Sequence, residues 1–417
     1  MSLNKGIKTV LKLAKDSNYL WALFLMLWTQ TLCGQPPERV KTDAEITVGA
    51  ARFDVYLPLL ENKRVAVIAN QTSVVNGVHL VDALLEKGVD IKKVFAPEHG
   101  FRGAADAGEL VKNDTDPKTN LPIISLYGGS NKKPRAEYLE DVDIVLFDIQ
   151  DVGVRFYTYI STMSYAMEAC AENEKGFVVL DRPNPNGFYV DGPVLKKDFK
   201  SFVGMHNVPL VHGMTVGEYA QMVNQEGWLK GGIKCQLDVI PCINYSHKDL
   251  YQVPIKPSPN LPNMTSIYLY PSLGLFEGTI VSVGRGTPSP FQVIGHPSLQ
   301  KATYEFTPEP MPGAKYPPHK GKNCKGYDLK NFGQEFFHDY QRLYLDWLLE
   351  AYQHTPDKSS FFREGKFFFL LCGNDQLKKD VISGKSASEI RATWDQDLAT
   401  FNIMRAKYLL YEDFQNL

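Results

Sequence analysis

Short apolar runs alternate with amphipathic stretches from residue 64 to residue 240 of this chain. Four consecutive apolar side chains at 144–147 are typical of a strand that is covered on both faces. The predicted strands are 64–69, 93–96, 122–127, 144–147, 176–181 and 234–240. Helical patterns at 79–87, 134–139, 161–174 and 215–226 separate them. Because strands and helices take turns, this part is predicted to be α/β, with a doubly wound, mostly parallel sheet.

The regular alternation weakens after residue 242, and a second domain is predicted to begin near residue 260. Residues 254–262 contain four prolines, and 268–295 are rich in glycine, proline and aromatic residues. Further on, the pattern predicts a long helix at 332–352, a strand at 367–371 and helical segments within 387–411. We therefore expect one domain over 47–260 and a smaller α/β domain over 261–417.

The ends of the predicted strands carry the side chains best suited to chemistry. In chain order these are Asn70; Glu98, His99 and Arg102; Asp148, Gln150, Asp151, Arg155 and Tyr157; and Arg182 and Asn184. In an open α/β sheet the carboxyl ends of parallel strands meet at one edge, and ligands bind there. The strand ends near residues 98 and 148 are therefore predicted to face one pocket.

The paired acids at these strand ends suit the cleavage of a glycosidic bond. Two carboxylates that flank such a bond can divide the work, one protonating the leaving oxygen while the other acts at the anomeric carbon. Glu98 is the candidate general acid, and Asp148 or Asp151 is the candidate partner. Structural roles also fit the two aspartates, with Asp148 capping a helix and Asp151 forming an ion pair with Arg155.

Arginines and aromatic residues in the loops suit a sugar that bears an acidic group. Arginine binds carboxylates through two parallel hydrogen bonds, although each of these arginines also suits an ion pair with a nearby aspartate. The loop arginines are Arg102, Arg155, Arg182 and Arg285. The loop aromatics, which suit either a sugar-stacking wall or the interface between the domains, are Tyr157, Tyr159, Tyr268, Tyr270, Phe276 and Phe291.

Motifs for nucleotides, serine nucleophiles and metals are missing from the sequence. There is no Gly-x-Gly-x-x-Gly after the first strand, no Gly-x-x-x-x-Gly-Lys-Ser/Thr loop and no Gly-x-Ser-x-Gly. No His-x-His or His-x-x-x-His supports a zinc site, although His206 and His212 lie six residues apart. We predict no cofactor and no metal. The net charge of -2 also argues against a general nucleic-acid binder, which needs a basic face.

The N-terminus has the pattern of an export signal. Four lysines between residues 5 and 15 precede an apolar run at 19–28, and small or polar residues follow at 29–34. The run is short for a membrane span, which needs about 20 residues. We predict a signal peptide over 1–34, a linker over 35–46 and an exported protein, periplasmic or secreted. Lipidation at Cys33, giving an outer-membrane lipoprotein, and retention as an uncleaved anchor are the alternatives.

Several long motifs together resemble one protein family. They are Asn70-Gln-Thr, Pro97-Glu-His-Gly-Phe-Arg-Gly, Phe147-Asp-Ile-Gln-Asp-Val-Gly-Val-Arg-Phe-Tyr-Thr-Tyr, Asp181-Arg-Pro-Asn-Pro-Asn-Gly, Pro257-Ser-Pro-Asn-Leu-Pro, Glu277-Gly-Thr and Gly284-Arg-Gly-Thr. The chain resembles the bacterial exo-β-N-acetylmuramidases of the NamZ type from about residue 47 to residue 417.

The resemblance implies a Rossmann-like domain without a nucleotide, joined to a smaller α/β domain. It also implies release of terminal β-linked N-acetylmuramic acid from the non-reducing end of peptidoglycan fragments. Glu98 would be the first catalytic carboxylate, with Asp151 or Asp148 as its partner. The residues expected to bind the substrate are Asn70, His99, Arg102, Gln150, Arg155, Tyr157, Asn184, Asn260, Glu277 and Arg285. The competing hypotheses are a non-catalytic protein that binds cell-wall fragments and a metal-dependent amidase or esterase using His99 and the aspartates.

Overall fold

The computed structural model describes residues 45–102, 113–128 and 132–414. The predicted signal peptide at 1–34 lies outside the described residues, as does the predicted linker apart from its last two residues. From Ile46 onwards the described residues belong to one compact unit. Within them, no helix has both the length and the apolar character needed to cross a membrane.

A seven-stranded sheet forms the centre of the fold, in the order β5-β6-β4-β1-β7-β8-β9. The strands of the described residues are β1 (Val65–Ala69), β2 (Val74–Val75), β3 (Val78–His79), β4 (Ile91–Ala96), β5 (Asp114–Thr115), β6 (Pro122–Ser125), β7 (Ile144–Asp148), β8 (Gly176–Leu180), β9 (Gln236–Ile240), β10 (Val293–His296), β11 (Tyr304–Phe306) and β12 (Cys324–Asp328). Only β5 runs antiparallel to its neighbour in this sheet. The six predicted strands are all present, and β5 is a short edge strand that the apolar pattern did not predict.

The order of the parallel strands is that of a Rossmann fold. Counted along the chain, they lie in the order 3-2-1-4-5-6, because β1 pairs with β4 on one side and with β7 on the other. Successive side chains of β1 enter different cores: Ala66 and Ile68 face one, and Val65, Val67 and Ala69 face the other. Burial on both faces explains the continuous apolar runs, and the predicted fold class is confirmed.

Eleven α-helices accompany the strands in the described residues. They are α1 (Phe53–Leu60), α2 (Leu80–Glu86), α3 (Tyr159–Glu172), α4 (Val216–Gln225), α5 (Met264–Leu273), α6 (Gln334–Tyr340), α7 (Asp346–His354), α8 (Phe367–Cys372), α9 (Gln376–Ile382), α10 (Ala387–Ala392) and α11 (Asp395–Arg405). Helix α4 begins at a capping box in which the Thr215 side chain accepts from the Glu218 amide. Three of the four predicted helices between the strands are confirmed to within two residues, and the fourth is a short 3-10 turn at Ala136–Tyr138.

Two predictions for the C-terminal half are wrong. The stretch 332–352 is not one helix but α6 and α7, since Gln341 takes a left-handed conformation that ends α6. The apolar run 367–371 is not a strand but lies in α8, which buries Phe368, Leu371 and Cys372 and exposes Phe367. A short apolar run fits a buried strand and a packed helix equally well, so periodicity could not separate them.

The C-terminal part is built around a three-stranded antiparallel sheet, in the order β10-β12-β11. One hydrophobic core joins this part to the large sheet, because it contains Phe147 of β7, Tyr270 of α5 and Phe368 of α8. The predicted boundary at 260/261 therefore lies within a continuous core, and the division into two domains stays a prediction.

Candidate active site

A cleft of about 940 Å³ opens between the large sheet and the C-terminal part. One wall comes from the residues that follow β4, β6, β7 and β8, and the other from α5 onwards. The lining residues are Glu98, Tyr127, Lys132, Phe156, Thr158, Ser201, Phe202, Val203, Tyr270, Glu277, Arg285, Phe367, Leu370, Leu371 and 313–318. This volume is in the range that holds a small-molecule ligand.

Glu98 projects into this cleft from a tight turn that follows β4. The Gly100 amide donates to the Pro97 carbonyl at 3.0 Å, and His99 has a φ of 70°, as the third residue of a type II turn requires. The Thr158 hydroxyl, just before α3, donates to Oε2 of Glu98 at 2.7 Å. Two strand ends and the start of a helix thus meet at one half-buried carboxyl group.

Tyr127, which lies beyond the end of β6, is the second hydroxyl at the Glu98 carboxyl group. Its side chain is hydrogen-bonded to Glu98, and burial together with the charge of Glu98 raises the pKa of Tyr127. The phenol therefore stays protonated and donates to the carboxylate. Thr158 and Tyr127 leave the Glu98 side chain little freedom to turn away from the cleft.

Glu277 and Arg285 form an ion pair on the opposite wall. Both Nε and Nη2 of Arg285 lie 2.9 Å from Oε1 of Glu277, and the guanidinium lies 5.1 Å from the centre of the Phe291 ring. Burial acts to lower the pKa of Arg285, but Glu277, Tyr270 and Glu98 together act more strongly in the other direction, and the pKa is raised. The cleft therefore holds a permanent cation, close enough to Glu98 for the two charges to interact.

Asp148 lies outside the cleft lining, in a buried ion pair beneath it. Its side chain is fully buried, and Arg182 donates to Oδ1 at 2.6 Å through Nε and to Oδ2 at 2.9 Å through Nη2. The Ser73 hydroxyl also donates to the Asp148 backbone carbonyl. The pair joins the ends of β7 and β8 at the centre of the sheet.

Asp151 is also buried and absent from the cleft lining. Oδ2 accepts from the Gly153 amide at 2.7 Å, whereas Oδ1 has no hydrogen-bond partner among the described residues. Burial raises the pKa of Asp151 to about 7. The alternative ion pair with Arg155 is not formed, because Arg155 donates instead to the backbone carbonyls of Pro193, Val208 and Leu371.

Exchanging Asp151 for asparagine tests this raised pKa. The folded protein keeps a proton on Asp151 up to about pH 7, whereas the unfolded chain releases it near its ordinary value of 3.8. Folding then takes up a proton in this window, so the free energy of unfolding falls as the pH rises through it. Between about pH 5 and pH 8 the free energy of unfolding of the wild type should fall by roughly 2 to 3 kcal/mol more than that of Asp151→Asn. Urea unfolding of both proteins measures this, and parallel pH dependence would contradict it.

Most of the predicted binding residues form the polar scaffold under the cleft. The side-chain amides of Asn184 and Asn260 donate to the Met214 and Gly313 carbonyls, and the Tyr157 hydroxyl donates to the Pro257 carbonyl. The buried side chains in this group are Asn70, His99, Gln150, Arg155, Tyr157, Asn184 and Asn260. These residues support the loops that shape the cleft, and their contact with substrate stays a prediction.

Arg102 lies at the surface and away from the cleft lining. Its guanidinium donates to both carboxyl oxygens of Asp116, at 3.1 and 2.8 Å. Of the predicted binding residues, Glu277 and Arg285 line the cleft, and of the predicted catalytic residues, Glu98 does. The three come from sequence positions almost 190 residues apart, so the fold alone brings them together.

Several residues of the cleft were not singled out by the sequence. Thr158 and Tyr127 lie next to strand or helix ends that were predicted, so their position was the signal that could have found them. The additions to the lining with charged or aromatic side chains include Lys132, Phe202, Lys315, Tyr316 and Phe367. In the described part of the chain, no group of three or more histidine, cysteine or acidic side chains is arranged to hold a metal ion.

Comparison with known proteins shows which family the chain is similar to. The two models of exo-β-N-acetylmuramidase NamZ match the chain, the N-terminal one over residues 65–265 and the C-terminal one over residues 268–411. The peptidoglycan β-N-acetylmuramidase NamZ of Bacillus subtilis (strain 168) is 37% identical over 409 residues, which cover 93% of this chain and 97% of the relative.

Two crystal structures of DUF1343 family proteins from Bacteroides fragilis NCTC 9343 have the same fold. One is 48% identical with a TM-score of 0.82, and the match covers 89% of this chain and 100% of that one. The other is 30% identical with a TM-score of 0.74, covering 88% of this chain and 99% of that one. The family models together span more than half of the sequence, and the chain belongs to the NamZ family of exo-β-N-acetylmuramidases.

Proposed function

We propose that this protein is an exo-acting glycoside hydrolase that releases terminal β-linked N-acetylmuramic acid from the non-reducing end of peptidoglycan fragments. The Bacillus subtilis relative is a peptidoglycan β-N-acetylmuramidase, and the similarity extends over nearly the whole of both chains. The observation that carries the proposal is the placement of Glu98, held by two hydroxyl groups in a cleft large enough for a sugar.

Glu98 is the general acid of the proposed reaction. In its protonated state Glu98 donates its proton to the glycosidic oxygen as the bond from that oxygen to the anomeric carbon breaks. Water then adds to the anomeric carbon, and a carboxylate of the cleft takes up the proton that the water releases. Positive charge develops on the sugar ring in the transition state. The Thr158 and Tyr127 hydroxyl groups hold the carboxyl group towards the substrate, which limits the entropy lost on reaching the reactive geometry.

Glu277 is proposed as the second carboxylate of the cleft. It lines the opposite wall, where its negative charge suits either stabilisation of the developing charge or activation of water. Asp148 and Asp151, the partners predicted from the sequence, lie beneath the cleft lining and are proposed to support the loops that carry Thr158. This assignment leaves two acids in the cleft lining, one from the large sheet and one from the C-terminal part.

Arg285 is proposed to bind the acidic group of the substrate. N-acetylmuramic acid carries a lactyl carboxylate, and a guanidinium offers five N–H donors, of which Glu277 takes two. Lys132 and Lys315 add positive charge to the same cleft. The lining holds three basic and two acidic side chains, and this excess of positive charge favours an acidic sugar over its neutral counterpart.

Product analysis on a defined disaccharide tests the proposed function. Purified protein is expected to release both sugars from N-acetylmuramic acid β-linked to N-acetylglucosamine, in a strong chelator as well as without it. The matched control is the disaccharide with the two sugars in reverse order, which an exo-acting muramidase leaves intact. Proton NMR of the first-formed anomer gives the stereochemical outcome.

Two other outcomes of this experiment would replace the proposal. Binding of the disaccharide without release of sugar would make the protein a non-catalytic binder of cell-wall fragments. Loss of activity in the chelator, restored by added metal, would favour a metal-dependent amidase or esterase.

Export to the periplasm or the medium is proposed as the cellular setting. The lysines and the apolar run of residues 1–34 support it, since export would bring the enzyme to peptidoglycan. N-terminal sequencing of the mature protein is the measurement, and an intact first residue in a soluble cytoplasmic fraction would contradict it.

A further inference from the structure

Tyr316 is an aromatic residue of the cleft lining that has almost no contact with the rest of the fold. Its side chain is 93% exposed, the largest exposure among the large hydrophobic residues that are exposed in the described part of the chain. An exposed aromatic ring contributes nothing to the core, and stacking a ligand on it releases the water from the ring face that the ligand covers.

The loop that carries Tyr316 is held in place by contacts of the residues before and after it in the sequence. The Asn260 side chain donates to the Gly313 carbonyl at 2.8 Å, and the Met311 and Ala314 backbones bond to each other. After the ring, Pro317 packs so closely on Gly286 that a Cβ there would lie 2.6 Å from it. Gly286 has a φ of 82°, so its turn requires glycine. The loop is therefore held in place while the ring of Tyr316 stays exposed.

Phe367 is a second exposed aromatic residue of the same cleft. It is the first residue of α8 and is 44% exposed, whereas the next residue, Phe368, is buried in the core. Beside Glu98, by contrast, the lining residues Thr158 and Tyr270 are buried, and Thr158 contacts Glu98. The cleft therefore has an enclosed end near the proposed general acid and an open end with exposed aromatic rings.

The direction of a glycan chain in this cleft follows from these two ends, and it rests on the proposed function. An exo-acting enzyme binds the terminal sugar of the non-reducing end at the general acid. The remaining sugars have to leave through the open end, because a chain of several sugars does not fit in the enclosed one. The exposed rings consequently lie on the side of the leaving group.

We propose that Tyr316, assisted by Phe367, forms the binding subsite for the leaving-group sugar. The ligand is the β-linked pyranose that follows the muramic acid, and the apolar C–H face of its ring stacks on the tyrosine. Tyr316 would then determine how strongly the enzyme prefers a substrate with a saccharide leaving group over a substrate with another leaving group. It binds substrate without taking part in the proton transfer.

The test compares two substrates that share the muramic acid and differ in the leaving group. One is the N-acetylmuramic acid–N-acetylglucosamine disaccharide, and the other is the β-glycoside of trifluoroethanol, which has no ring to stack. For Tyr316→Ala, kcat/KM on the disaccharide should fall roughly tenfold, chiefly through KM, because a stacking contact is lost in the ground state and the transition state alike. On the trifluoroethyl glycoside the variant and the wild type should agree within about twofold.

Matched variants separate this role from a general effect. Tyr316→Trp keeps an aromatic face and should retain the preference, and Phe367→Ala should reduce it less than Tyr316→Ala does. Ile403→Ala changes a residue of α11 that is 73% exposed and absent from the cleft lining, so both substrates should react as with the wild type. Because Tyr316 packs against so little, its variants should keep the thermal midpoint of the wild type.

Three results would overturn the subsite. The first is an equal loss of kcat/KM on both substrates for Tyr316→Ala, and the second is no loss on either. The third is a loss on the disaccharide for Tyr316→Trp as large as that for Tyr316→Ala. The wild-type reaction keeps this test separate from the proposed function. Wild-type turnover of both substrates with an unaffected Tyr316→Ala rejects the subsite alone. A wild type that hydrolyses neither substrate rejects the muramidase activity and the subsite with it.

Discussion

Exchanging Glu98 for glutamine is expected to slow hydrolysis of the muramic acid disaccharide at least about 100-fold. Glutamine has the shape of glutamate and still accepts the Thr158 hydrogen bond through its carbonyl oxygen, but it has no proton to give to the glycosidic oxygen. The loss should appear in kcat, because proton donation stabilises only the transition state. Steady-state kinetics on the disaccharide measures it.

An activated leaving group distinguishes a general acid from a residue that only positions the substrate. In a dinitrophenyl glycoside of muramic acid, the dinitrophenolate leaves without being protonated. Glu98→Gln should therefore cleave this substrate at nearly the wild-type rate. Equal losses on both substrates would assign Glu98 to binding, and a wild-type rate on the disaccharide would remove it from the mechanism. Unfolding of the variant in urea serves as the control for folding.

Removing the Asp148 carboxylate is expected to destabilise the fold by about 3 to 5 kcal/mol. Asp148→Ala leaves the Arg182 guanidinium in the protein interior without its anion, and the Arg182 side chain is only 3% exposed. The energetic cost comes chiefly from that unpaired buried charge. Urea unfolding of the variant and the wild type gives the difference, and Asp148→Asn, which keeps an acceptor for Arg182, should lose less.

An exposed ion pair provides the matched control. Lys196 and Asp397 lie 2.5 Å apart, but their side chains are 53% and 41% exposed. Asp397→Ala should therefore change the free energy of unfolding by less than about 1 kcal/mol. If Asp148→Ala were as stable as the wild type and inactive, the structural role would be wrong and Asp148 would belong to the chemistry.

Local pattern was enough to predict the sheet and the edge where the site lies. Parallel strands buried on both faces need continuous apolar runs, and those runs ended at the polar clusters that follow β1, β4, β7 and β8. The same reasoning failed for α8, because six residues are too few for periodicity to separate a helix from a strand. Glu98 was identified from its strand end and its motif, and it does line the cleft.

The strand order decided which of the candidate carboxylates reach the cleft. Asp148 ends β7, which lies between β1 and β8, so its side chain meets Arg182 from the end of β8 inside the protein. Glu98 follows β4, which is separated from β7 by β1, and the left-handed conformation of His99 shapes the turn that carries Glu98 into the cleft. The sequence favours Asp151 over Asp148, because Asp148 lies closer to the strand, yet both are buried. Sequence spacing does not contain the depth of a side chain.

By itself, the sequence determined the fold class, the family and the strand ends from which the site is built, because these depend on local periodicity and on contiguous motifs. Only the tertiary structure decided which side chains form the cleft. It placed the ion pair of Glu277 and Arg285 in the same cleft as Glu98, and it left the ring of Tyr316 exposed in the lining. These contacts join residues that are far apart in the chain. Which side chains are buried, and which partners they meet, is therefore decided only when the chain folds.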